Sequence, residues 1–247
     1  MARLNTRGLI IVPSYHEERN ILHVIEGLKE KAQGFDILII DDGSKDRTGE
    51  IAVNNGTRVL RHPFNMGYGV AVQTGYKYAV KHRYDLVVQI DGDDQHDPSY
   101  ITPLLEALKE SKADMVIGSR FLRQEGSDVP FQRRMGIKFF SLIASAVIGQ
   151  RVTDSTSGFQ ALNRRVFTFF STMDNFPYDY PDADLIITLC AHGFKFKEVP
   201  VVMHNRLHGR SMTAGWNSLL YVTKMLISIL ITLMRRKKMK KLCAESR

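Results

Sequence analysis

The first half of the chain alternates between short apolar runs rich in β-branched residues and longer segments whose apolar residues recur every three or four positions. This alternation is typical of βαβ units, in which each helix returns the chain to a mostly parallel sheet. We therefore expect an α/β fold with helices flanking the sheet. The segments that fit strands are Leu9–Val12, Ile37–Ile40, Arg58–Leu60, Leu86–Ile90 and Met115–Gly118. The segments that fit helices are Glu18–Ala32, Arg47–Asn54, Gly69–Lys81 and Ser99–Lys109.

Beyond residue 120 the pattern becomes less regular. A polar stretch with glycine and proline, Arg123–Pro130, predicts a loop, and the apolar segment Phe139–Ile148 predicts a helix that lies against an apolar surface. A further strand-and-helix region extends from Gly158 to Val202. Within it we expect Asp182–His192 to be helical and Phe196–Met203 to be extended.

The last apolar segment, Leu219–Met234, is short for a membrane span. As a helix with a rise of 1.5 Å per residue it covers roughly 24 Å, against roughly 30 Å of bilayer hydrocarbon. Its polar residues Tyr221, Lys224, Ser228 and Thr232 recur at helical spacing and form one narrow stripe. The pattern fits a helix that lies in a membrane interface, docks on the core of the protein, or joins two subunits.

The formal charge of +8 over 247 residues is concentrated at one end of the chain. Seven basic residues and one acid between Arg235 and Arg247 account for six of the eight charges, so the rest of the chain is nearly neutral. Basic residues beside an anionic leaflet contribute about 1 kcal/mol each to membrane binding. This distribution argues against a nucleic-acid-binding face. The two cysteines, Cys190 and Cys243, are too few for a disulfide framework and indicate a reducing compartment.

Two acidic clusters directly follow the second and the fourth predicted strands, at Asp41–Ser44 and Asp91–Asp94. Ligands of open parallel sheets bind outside the carboxyl ends of the strands, so both clusters are expected to face one crevice. Asp and Gly are also ordinary turn residues, but helices rather than returning strands are predicted after both clusters. Crowded carboxylates need a cation. The pair Asp91 and Asp93 fits Mg²⁺ or Mn²⁺, with phosphate oxygens and water completing the shell.

Motifs of several other enzyme classes are absent from the sequence. Neither a phosphate-binding loop of the form G-x-x-x-x-G-K-[ST] nor a G-x-S-x-G nucleophile elbow occurs. The segment Gly67–Gly69 lacks the third glycine of a dinucleotide-binding motif. Nucleoside triphosphatase, dehydrogenase and hydrolase functions are therefore disfavoured.

Several motifs, taken in chain order, resemble those of family 2 glycosyltransferases. Val12–Asn20 is similar to the opening nucleotide-binding turn of that family, and Asp41–Asp46 is similar to its second one. Asn65–Gly69 resembles the loop Asn-x-Gly-Lys-Gly, with Tyr68 where lysine is common, and Asp91–His96 resembles the metal motif Asp-x-Asp-x-Gln-His. The resemblance covers about residues 8–212. It is strongest for the branch of dolichyl-phosphate mannose synthases and polyprenyl-phosphate glycosyltransferases, and it implies a GT-A fold, which is Rossmann-like.

This resemblance assigns roles to individual residues on the side of the sugar donor. It implies that Asp91, Asp93 and Gln95 hold Mg²⁺ or Mn²⁺. It places the nucleotide of the donor against Pro13, Tyr15, Glu17, Asp42, Gly67, Asp91 and Gly92.

On the acceptor side the resemblance implies a set of basic residues that receive a lipid phosphate. Gly118–Arg120, the pair Arg133 and Arg134, and Arg206–Ser211 match basic positions of that kind, and Asp154–Phe159 matches the acceptor-side turn. The residues expected at the reacting groups are Asp93, Arg120, Arg134, Arg206 and Asp184.

The expected function is an inverting, metal-dependent transfer of a sugar from a UDP- or GDP-hexose to a polyprenyl phosphate, such as undecaprenyl or dolichyl phosphate. A lipid phosphate is already ionised, so it needs no general base, and arginines can grip it bidentately. The alternative acceptor is a hydroxyl group on a growing saccharide. Asp182 or Asp184 would then be the base, although either residue could simply begin the predicted helix.

The resemblance and the C-terminal pattern together predict two parts. We expect a GT-A domain over residues 1–212 and, over 213–247, an amphipathic apolar helix with a basic tail that contacts a membrane interface or another subunit. The expected partners are the nucleotide-sugar donor, the polyprenyl phosphate, a membrane surface and a second copy in a homo-oligomer, but no nucleic acid. The expected location is the cytoplasmic face of the cell membrane, as a peripheral protein.

Overall fold

The strands and helices predicted for the first half of the chain are confirmed, with ends shifted by a few residues. The computed structural model describes residues 6–122, 131–179, 181–204 and 222–234, with the backbone alone at 131–133. The strands within these ranges are β1 (Gly8–Ser14), β2 (Phe35–Asp41), β3 (Arg58–Arg61), β4 (Leu86–Gln89), β5 (Met115–Ser119), β6 (Gln160–Asn163) and β7 (Phe196–Pro200). The helices are α1 (Ile21–Lys31), α2 (Thr48–Asn54), α3 (Tyr68–Lys81), α4 (Ile101–Glu110), α5 (Phe131–Ile148), α6 (Arg164–Ser171), α7 (Ala183–Ala191) and α8 (222–234).

The strands form one sheet in the order β3-β2-β1-β4-β6-β5-β7. The parallel pairs are β1 with β2, β1 with β4, β2 with β3, and β5 with β7. Strand β6 is antiparallel to both of its neighbours, β4 and β5. The direction of the strand order reverses at β1, because β2 and β3 lie on one side of it and β4 lies on the other. Open α/β sheets form their ligand crevice at such a reversal. The predicted mostly parallel sheet is confirmed.

Apolar side chains fill both faces of the sheet. Along β1, Leu9 and Ile11 face one core while Ile10 and Val12 face the other, and all four are buried. The first core is completed by α3, α5, α6 and α7, and the second by α1, α2 and α4. Strands covered on both faces are continuously apolar, which is why short apolar runs identify them in the sequence.

The second half of the chain differs from the sequence prediction at several boundaries. The helix expected to begin at Phe139 begins at Phe131 as α5. The pattern predicts only a strand-and-helix region where β6 and α6 lie. The start of α6 is set by Asn163, whose side-chain oxygen accepts the backbone N–H of Val166 at 3.1 Å. The predicted loop 123–130, the predicted domain boundary near residue 212 and the basic tail lie outside the described residues.

Helix α8 turns its polar stripe towards the protein. Met225 and Ile229 are buried in the first core, and the Ser228 hydroxyl donates to Asp184 of α7. Docking on the core, one of the three alternatives for this segment, is therefore observed. No helix in the ranges described above is both long enough and apolar enough to cross a bilayer. The outward side of α8 carries the exposed residues Leu226, Ile227, Leu230, Ile231 and Met234.

Candidate active site

The second acidic cluster lies where β1 and β4 end side by side. The N–H of Gly92 donates to the carbonyl oxygen of Pro13 at 3.4 Å, which joins the turn after β4 to the end of β1. A Cβ on residue 92 would collide with Ser14, so glycine permits this close approach. The turn therefore presents Asp91 and Asp93 at the crevice that the strand order predicts.

Asp91, Asp93 and Gln95 provide oxygen ligands of the kind that Mg²⁺ and Mn²⁺ prefer. All three residues are half-buried. The Gln95 amide nitrogen donates to the carbonyl oxygen of His204 at 3.1 Å, which orients the amide and leaves its oxygen as the acceptor. Within the described ranges no group of three or more His, Cys, Asp or Glu side chains forms a metal site. The residues therefore fit a cation whose shell is completed by phosphate oxygens and water, as is usual for Mg²⁺.

Asp91 is enclosed by residues from three other parts of the chain. The Tyr68 hydroxyl donates to its Oδ1 at 2.6 Å, and Nε2 of His96 lies 3.1 Å from its Oδ2. A Cβ on Gly158 would come within 2.6 Å of Oδ2 and 2.7 Å of Oδ1. Burial and the adjacent carboxylate raise the pKa of Tyr68 well above its ordinary value of 10, so the phenol is a neutral donor. The turn after β4 and the turn before β6 thus meet at Asp91.

Two residues predicted to contact the nucleotide are buried beneath the crevice. Pro13 lies within β1 and is covered on both faces of the sheet. Glu17 accepts the side-chain amide of Asn20 at 2.6 Å, and its backbone N–H donates to the Thr48 hydroxyl at 2.8 Å. Both residues shape the turn after β1, and their contact with the nucleotide stays a prediction.

Asp42, predicted as a nucleoside contact, instead holds a loop. Its Oδ1 accepts the N–H of Met66 at 2.9 Å and lies 2.6 Å from Nδ1 of His62, and its Oδ2 accepts the N–H of Gly67 at 2.9 Å. The residue is only 3% exposed. Gly67 itself has a φ of 105° and faces the carbonyl oxygen of Tyr178, where a Cβ would collide. Asp42 and Gly67 therefore position the start of α3, and their direct contact with the donor stays a prediction.

Tyr15 is the predicted donor-side residue that stays open to solvent at the end of β1. Its ring is stacked on His16 with the ring centroids 4.0 Å apart, and the residue is 40% exposed. The N–H of His16 donates to the Ser44 hydroxyl at 3.0 Å, which ties this turn to the first acidic cluster. An exposed aromatic ring supported from one side is a suitable surface for stacking a nucleobase.

Arg120 is fixed by a buried ion pair on the acceptor side. Its Nε and Nη2 donate to the two oxygens of Asp154 at 2.6 and 2.7 Å, and Nη2 also donates to the Thr156 hydroxyl at 2.7 Å. Burial opposes the charge, but Asp154 outweighs it, and Asp182 and Asp91 add to the effect, so the pKa of Arg120 is raised. Its Nη1 has no partner among the residues described. The guanidinium is therefore held near Asp91 with N–H groups left for an anion.

The loop that carries Asp154 is supported by a half-buried glutamate. Glu198 of β7 accepts the backbone N–H groups of Thr153 and Asp154 at 2.9 Å, together with the Thr153 hydroxyl at 2.8 Å. From α5, the Ser141 hydroxyl accepts the N–H of Ser155 at 3.2 Å. Burial raises the pKa of Glu198 despite the hydrogen bonds it accepts. No pattern in the sequence predicts these long-range supports.

The two carboxylates at the start of α7 face different surroundings. Asp184 is 3% exposed, and it accepts a backbone N–H and the hydroxyl of Ser228. Its side chain faces α8, and its predicted place at the reacting groups stays a prediction. Asp182 is half-buried, makes no side-chain hydrogen bond that caps α7, and acts electrostatically on Tyr68 and Arg120. Asp182 is the carboxylate of this pair that belongs to the crevice.

The other predicted basic residues are only partly described. Arg134 is exposed in the first half of α5. Arg206 and the side chain of Arg133 lie outside the described residues.

Because Asp184 is buried, we expect it to make the stability of the protein depend on pH. Replacement of Asp184 by asparagine should remove this dependence. Burial raises the pKa of Asp184 above its ordinary value near 3.8. A raised folded-state pKa gives a stabilisation that is full below the unfolded-state value and is lost as pH rises through the folded-state value. We therefore expect the free energy of unfolding of the wild type, relative to Asp184→Asn, to fall as the pH rises from the ordinary value of 3.8 towards neutrality. Urea unfolding of both proteins across this range measures the difference. The exposed Asp174→Asn is the control, and a constant difference for Asp184→Asn would contradict the expectation.

Comparison with known families identifies the chain. A family model described as glycosyl transferase family 2 matches residues 9–170, which include both acidic clusters, Tyr68 and the pair Arg120 and Asp154. The chain belongs to glycosyl transferase family 2. The protein is therefore a glycosyltransferase, and the resemblance drawn from the order of its motifs is confirmed.

Two relatives are similar to this glycosyltransferase over most of their length. The polyprenol monophosphomannose synthase of Mycolicibacterium smegmatis is 30% identical over 226 residues, which cover 87% of this chain and 84% of the relative. The undecaprenyl-phosphate mannosyltransferase of Micrococcus luteus is 29% identical over 219 residues, which cover 85% of this chain and 88% of the relative.

A solved structure shares the fold of the glycosyltransferase. The glucosyl-3-phosphoglycerate synthase of Mycobacterium tuberculosis, crystallised with Mn²⁺ and UDP-glucose, matches with a TM-score of 0.68 at 20% identity, over 92% of this chain and 78% of the other. At that identity the match establishes the fold alone. The expected GT-A fold is confirmed.

Two crevice residues of the glycosyltransferase carry contacts that its motifs do not predict. Tyr68 binds Asp91, and Gln89 binds Tyr68 through its amide nitrogen at 2.9 Å. The sequence does hold a signal for each of them. Tyr68 stands where lysine is common in the resembling loop, and Gln89 is a polar residue at the end of an otherwise apolar strand.

Proposed function

We propose that this glycosyltransferase moves a hexose, with inversion at the anomeric carbon, from a nucleoside diphosphate donor to a polyprenyl phosphate. Mg²⁺ or Mn²⁺ would be held by Asp91, Asp93 and Gln95. The observation that carries the proposal is the placement of Arg120, whose Nη1 donors remain available near Asp91 within the described part of the chain. Such a guanidinium suits a second anion beside the donor diphosphate. The names of the two relatives, which refer to polyprenol and undecaprenyl phosphate, support this acceptor class.

In the proposed mechanism the protein binds two anions and aligns them. A cation held by Asp91, Asp93 and Gln95 would supply positive charge that stabilises the leaving diphosphate. Tyr15 offers the nucleobase a stacking surface, and Arg120 and Arg134 hold the lipid phosphate. A phosphate oxygen forms a bond to the anomeric carbon from the face opposite the diphosphate, whose oxygen departs with the electron pair. No proton is removed, because the lipid phosphate is already ionised.

A hydroxyl acceptor is the second candidate, and the position of Asp182 favours it. This carboxylate lies near Arg120 and Tyr68 and does not cap α7 with its side chain. It could therefore accept a proton from an attacking hydroxyl. A general base of this kind contributes about 10²- to 10⁴-fold to the rate, so its removal distinguishes the two acceptors.

The test is sugar transfer from UDP- and GDP-hexoses to undecaprenyl or dolichyl phosphate in the presence of Mn²⁺. We expect a product that partitions into organic solvent with one of these donors and that requires the cation. With a lipid phosphate as acceptor, Asp182→Asn should retain transfer within about tenfold, because no base is needed. Cation-dependent nucleotide binding without lipid product from any donor would contradict the proposed acceptor.

We also propose a peripheral position on the cytoplasmic face of the cell membrane, with α8 as the contact. The outward side of α8 is apolar, and the segment 235–247 that follows it carries most of the net charge. Apolar burial and attraction to anionic lipid act together in such helices. On the protein side, Ser228 and Lys224 anchor α8 to Asp184 and Asp179.

Replacing Leu230 with glutamate should weaken binding to vesicles of phosphatidylglycerol and phosphatidylcholine at least about tenfold, because it removes apolar burial worth about 1.5–3 kcal/mol. Leu230 is 59% exposed, so its replacement should leave the fold intact. Vesicle co-sedimentation measures the effect. Val53→Glu is the matched control, since Val53 is 58% exposed on α2. Unchanged vesicle binding by Leu230→Glu, together with loss of a dimer in size-exclusion chromatography, would assign this face to a subunit contact instead.

A further inference from the structure

Three hydrogen-bonded side chains, those of Tyr76, Gln89 and Tyr68, connect the first core to the Asp91 carboxylate. The hydroxyl of Tyr76, which is fully buried, donates to Oε1 of Gln89 at 2.7 Å. The Gln89 amide nitrogen donates to the Tyr68 oxygen at 2.9 Å, and the Tyr68 hydroxyl lies 2.6 Å from Oδ1 of Asp91. These contacts join the first core to the acidic turn.

The direction of each hydrogen bond in this series follows from the donor and acceptor atoms that the three side chains carry. An amide has one accepting and one donating end, so an amide oxygen that accepts from Tyr76 leaves the nitrogen to donate to Tyr68. The Tyr68 oxygen already accepts, and its single proton is therefore directed to Asp91. If the amide were reversed, the Tyr68 proton would be drawn to Gln89 and the bond to Asp91 would be lost. Tyr76 and Gln89 thus determine what Tyr68 donates to.

The second oxygen of Asp91 is oriented in the same manner. Nε2 of His96 lies 3.1 Å from Oδ2, while Nδ1 of His96 is buried without a hydrogen-bond partner in the described ranges. This arrangement leaves Nε2 as the ring nitrogen that can donate to Oδ2. Each oxygen of Asp91 therefore has a hydrogen-bonding side chain beside it, and Gly158 packs so close that a Cβ there would come within 2.7 Å of both oxygens. Hydrogen-bonded partners of this type set the orientation and the basicity of metal ligands.

We propose that Tyr68, directed by Gln89 and Tyr76, is a positioning residue that orients the Asp91 carboxylate and thereby sets the affinity of the crevice for a divalent cation. The proposal rests on the cation binding included in the proposed function, and it is independent of the acceptor. A phenol supplies a hydrogen bond without a positive charge, whereas a lysine at this position would place a cation beside the metal ligands. Tyr68 therefore favours metal binding but offers nothing to an uncompensated diphosphate.

The test is Mn²⁺ binding to the full-length protein with UDP or GDP present, followed through the electron paramagnetic resonance signal of free Mn²⁺. Loss of a hydrogen-bonding partner of a metal ligand typically costs about 10- to 100-fold in metal affinity, and we expect this loss for Tyr68→Phe. Tyr76→Phe should produce a smaller loss, because it removes only the group that directs the amide. The matched control is Tyr84→Phe, which removes another tyrosine–aspartate bond, of 2.6 Å to Asp36, at the opposite end of the sheet.

A lysine variant separates positioning from a general effect on folding. Tyr68→Lys should lower the affinity for Mn²⁺ and raise the affinity for UDP or GDP without metal, measured by calorimetry, whereas a merely misfolded crevice would lower both. Thermal unfolding checks each variant. Equal Mn²⁺ affinity for Tyr68→Phe and Tyr84→Phe would overturn this inference alone. Absence of Mn²⁺ binding by the wild type would instead overturn the metal part of the proposed function.

Discussion

Replacing Asp93 with asparagine should lower the rate of sugar transfer by about 10³-fold, because a metal that stabilises charge on a leaving group is worth several kcal/mol. Asp93 is half-buried in the turn after β4, and its Oδ1 accepts the N–H of Gln95 at 3.2 Å. Asparagine keeps the volume and this hydrogen bond but removes the charge that a cation needs. The fold should therefore survive, and transfer should fall together with Mn²⁺ affinity. Radiolabelled hexose recovered in lipid product measures the rate.

The matched control for this variant is Asp174→Asn, an exposed change in the segment after α6. It should transfer hexose at the rate of the wild type. If Asp93→Asn binds Mn²⁺ normally but loses transfer, the carboxylate acts on the substrates directly. If Asp93→Asn keeps both Mn²⁺ binding and sugar transfer, the cation is held elsewhere and the assignment of Asp93 as a metal ligand is wrong.

Asp154→Asn should lower the free energy of unfolding by about 3–5 kcal/mol, because it leaves the buried Arg120 cation without its partner. Asp154 is fully buried, and Arg120 is only 7% exposed. The carboxylate accepts the Nε, Nη2 and backbone N–H groups of Arg120, so an amide cannot replace all of its bonds. Urea unfolding measures the change. This loss is a large part of the stability of an ordinary domain.

A double variant distinguishes the ion pair from the shape of the loop. Arg120→Met combined with Asp154→Leu removes both charges, and such replacements are often neutral for stability. We expect the double variant to recover most of the stability but not the sugar transfer, since no guanidinium remains in the crevice. Recovered transfer would show that Arg120 serves only to hold the loop. A stability loss for Asp154→Asn of less than about 1 kcal/mol would show that water reaches the pair.

The fold and the location of the crevice could be predicted because both depend on local patterns. The runs at Leu9–Val12 and Leu86–Ile90 are apolar on both faces, which identifies buried parallel strands. Carboxylates that follow such strands must lie at the end of the sheet where ligands bind. Asp91 and Asp93 were therefore placed correctly from sequence, without knowledge of any contact.

The roles of individual acidic residues could not be predicted in the same way. Asp42 and Asp184 carry the side chain that a ligand site needs, but the same carboxylate can hold a loop or anchor a helix. The hydrogen-bond partners that determine the role of each carboxylate are distant along the chain. Met66 is 24 positions from Asp42, and Ser228 is 44 positions from Asp184. Periodicity contains no information on such pairings. For this reason the structure, and not the motif, separates Asp182 from Asp184.

Strand β6 is antiparallel to both of its neighbours, so its first residue lies at the crevice end of the sheet. Its first residue, Gln160, pairs with Gln89 at the end of β4, so the loop before β6 opens directly onto the crevice. Under the proposed function, residues before β5 would build the turns around the donor, and those after it would supply the acceptor side. An engineered graft with its junction in β5 would then exchange the acceptor side while keeping the nucleotide turns. Such a chimera must preserve the close approach of Gly158 to Asp91 and that of Tyr178 to Gly67.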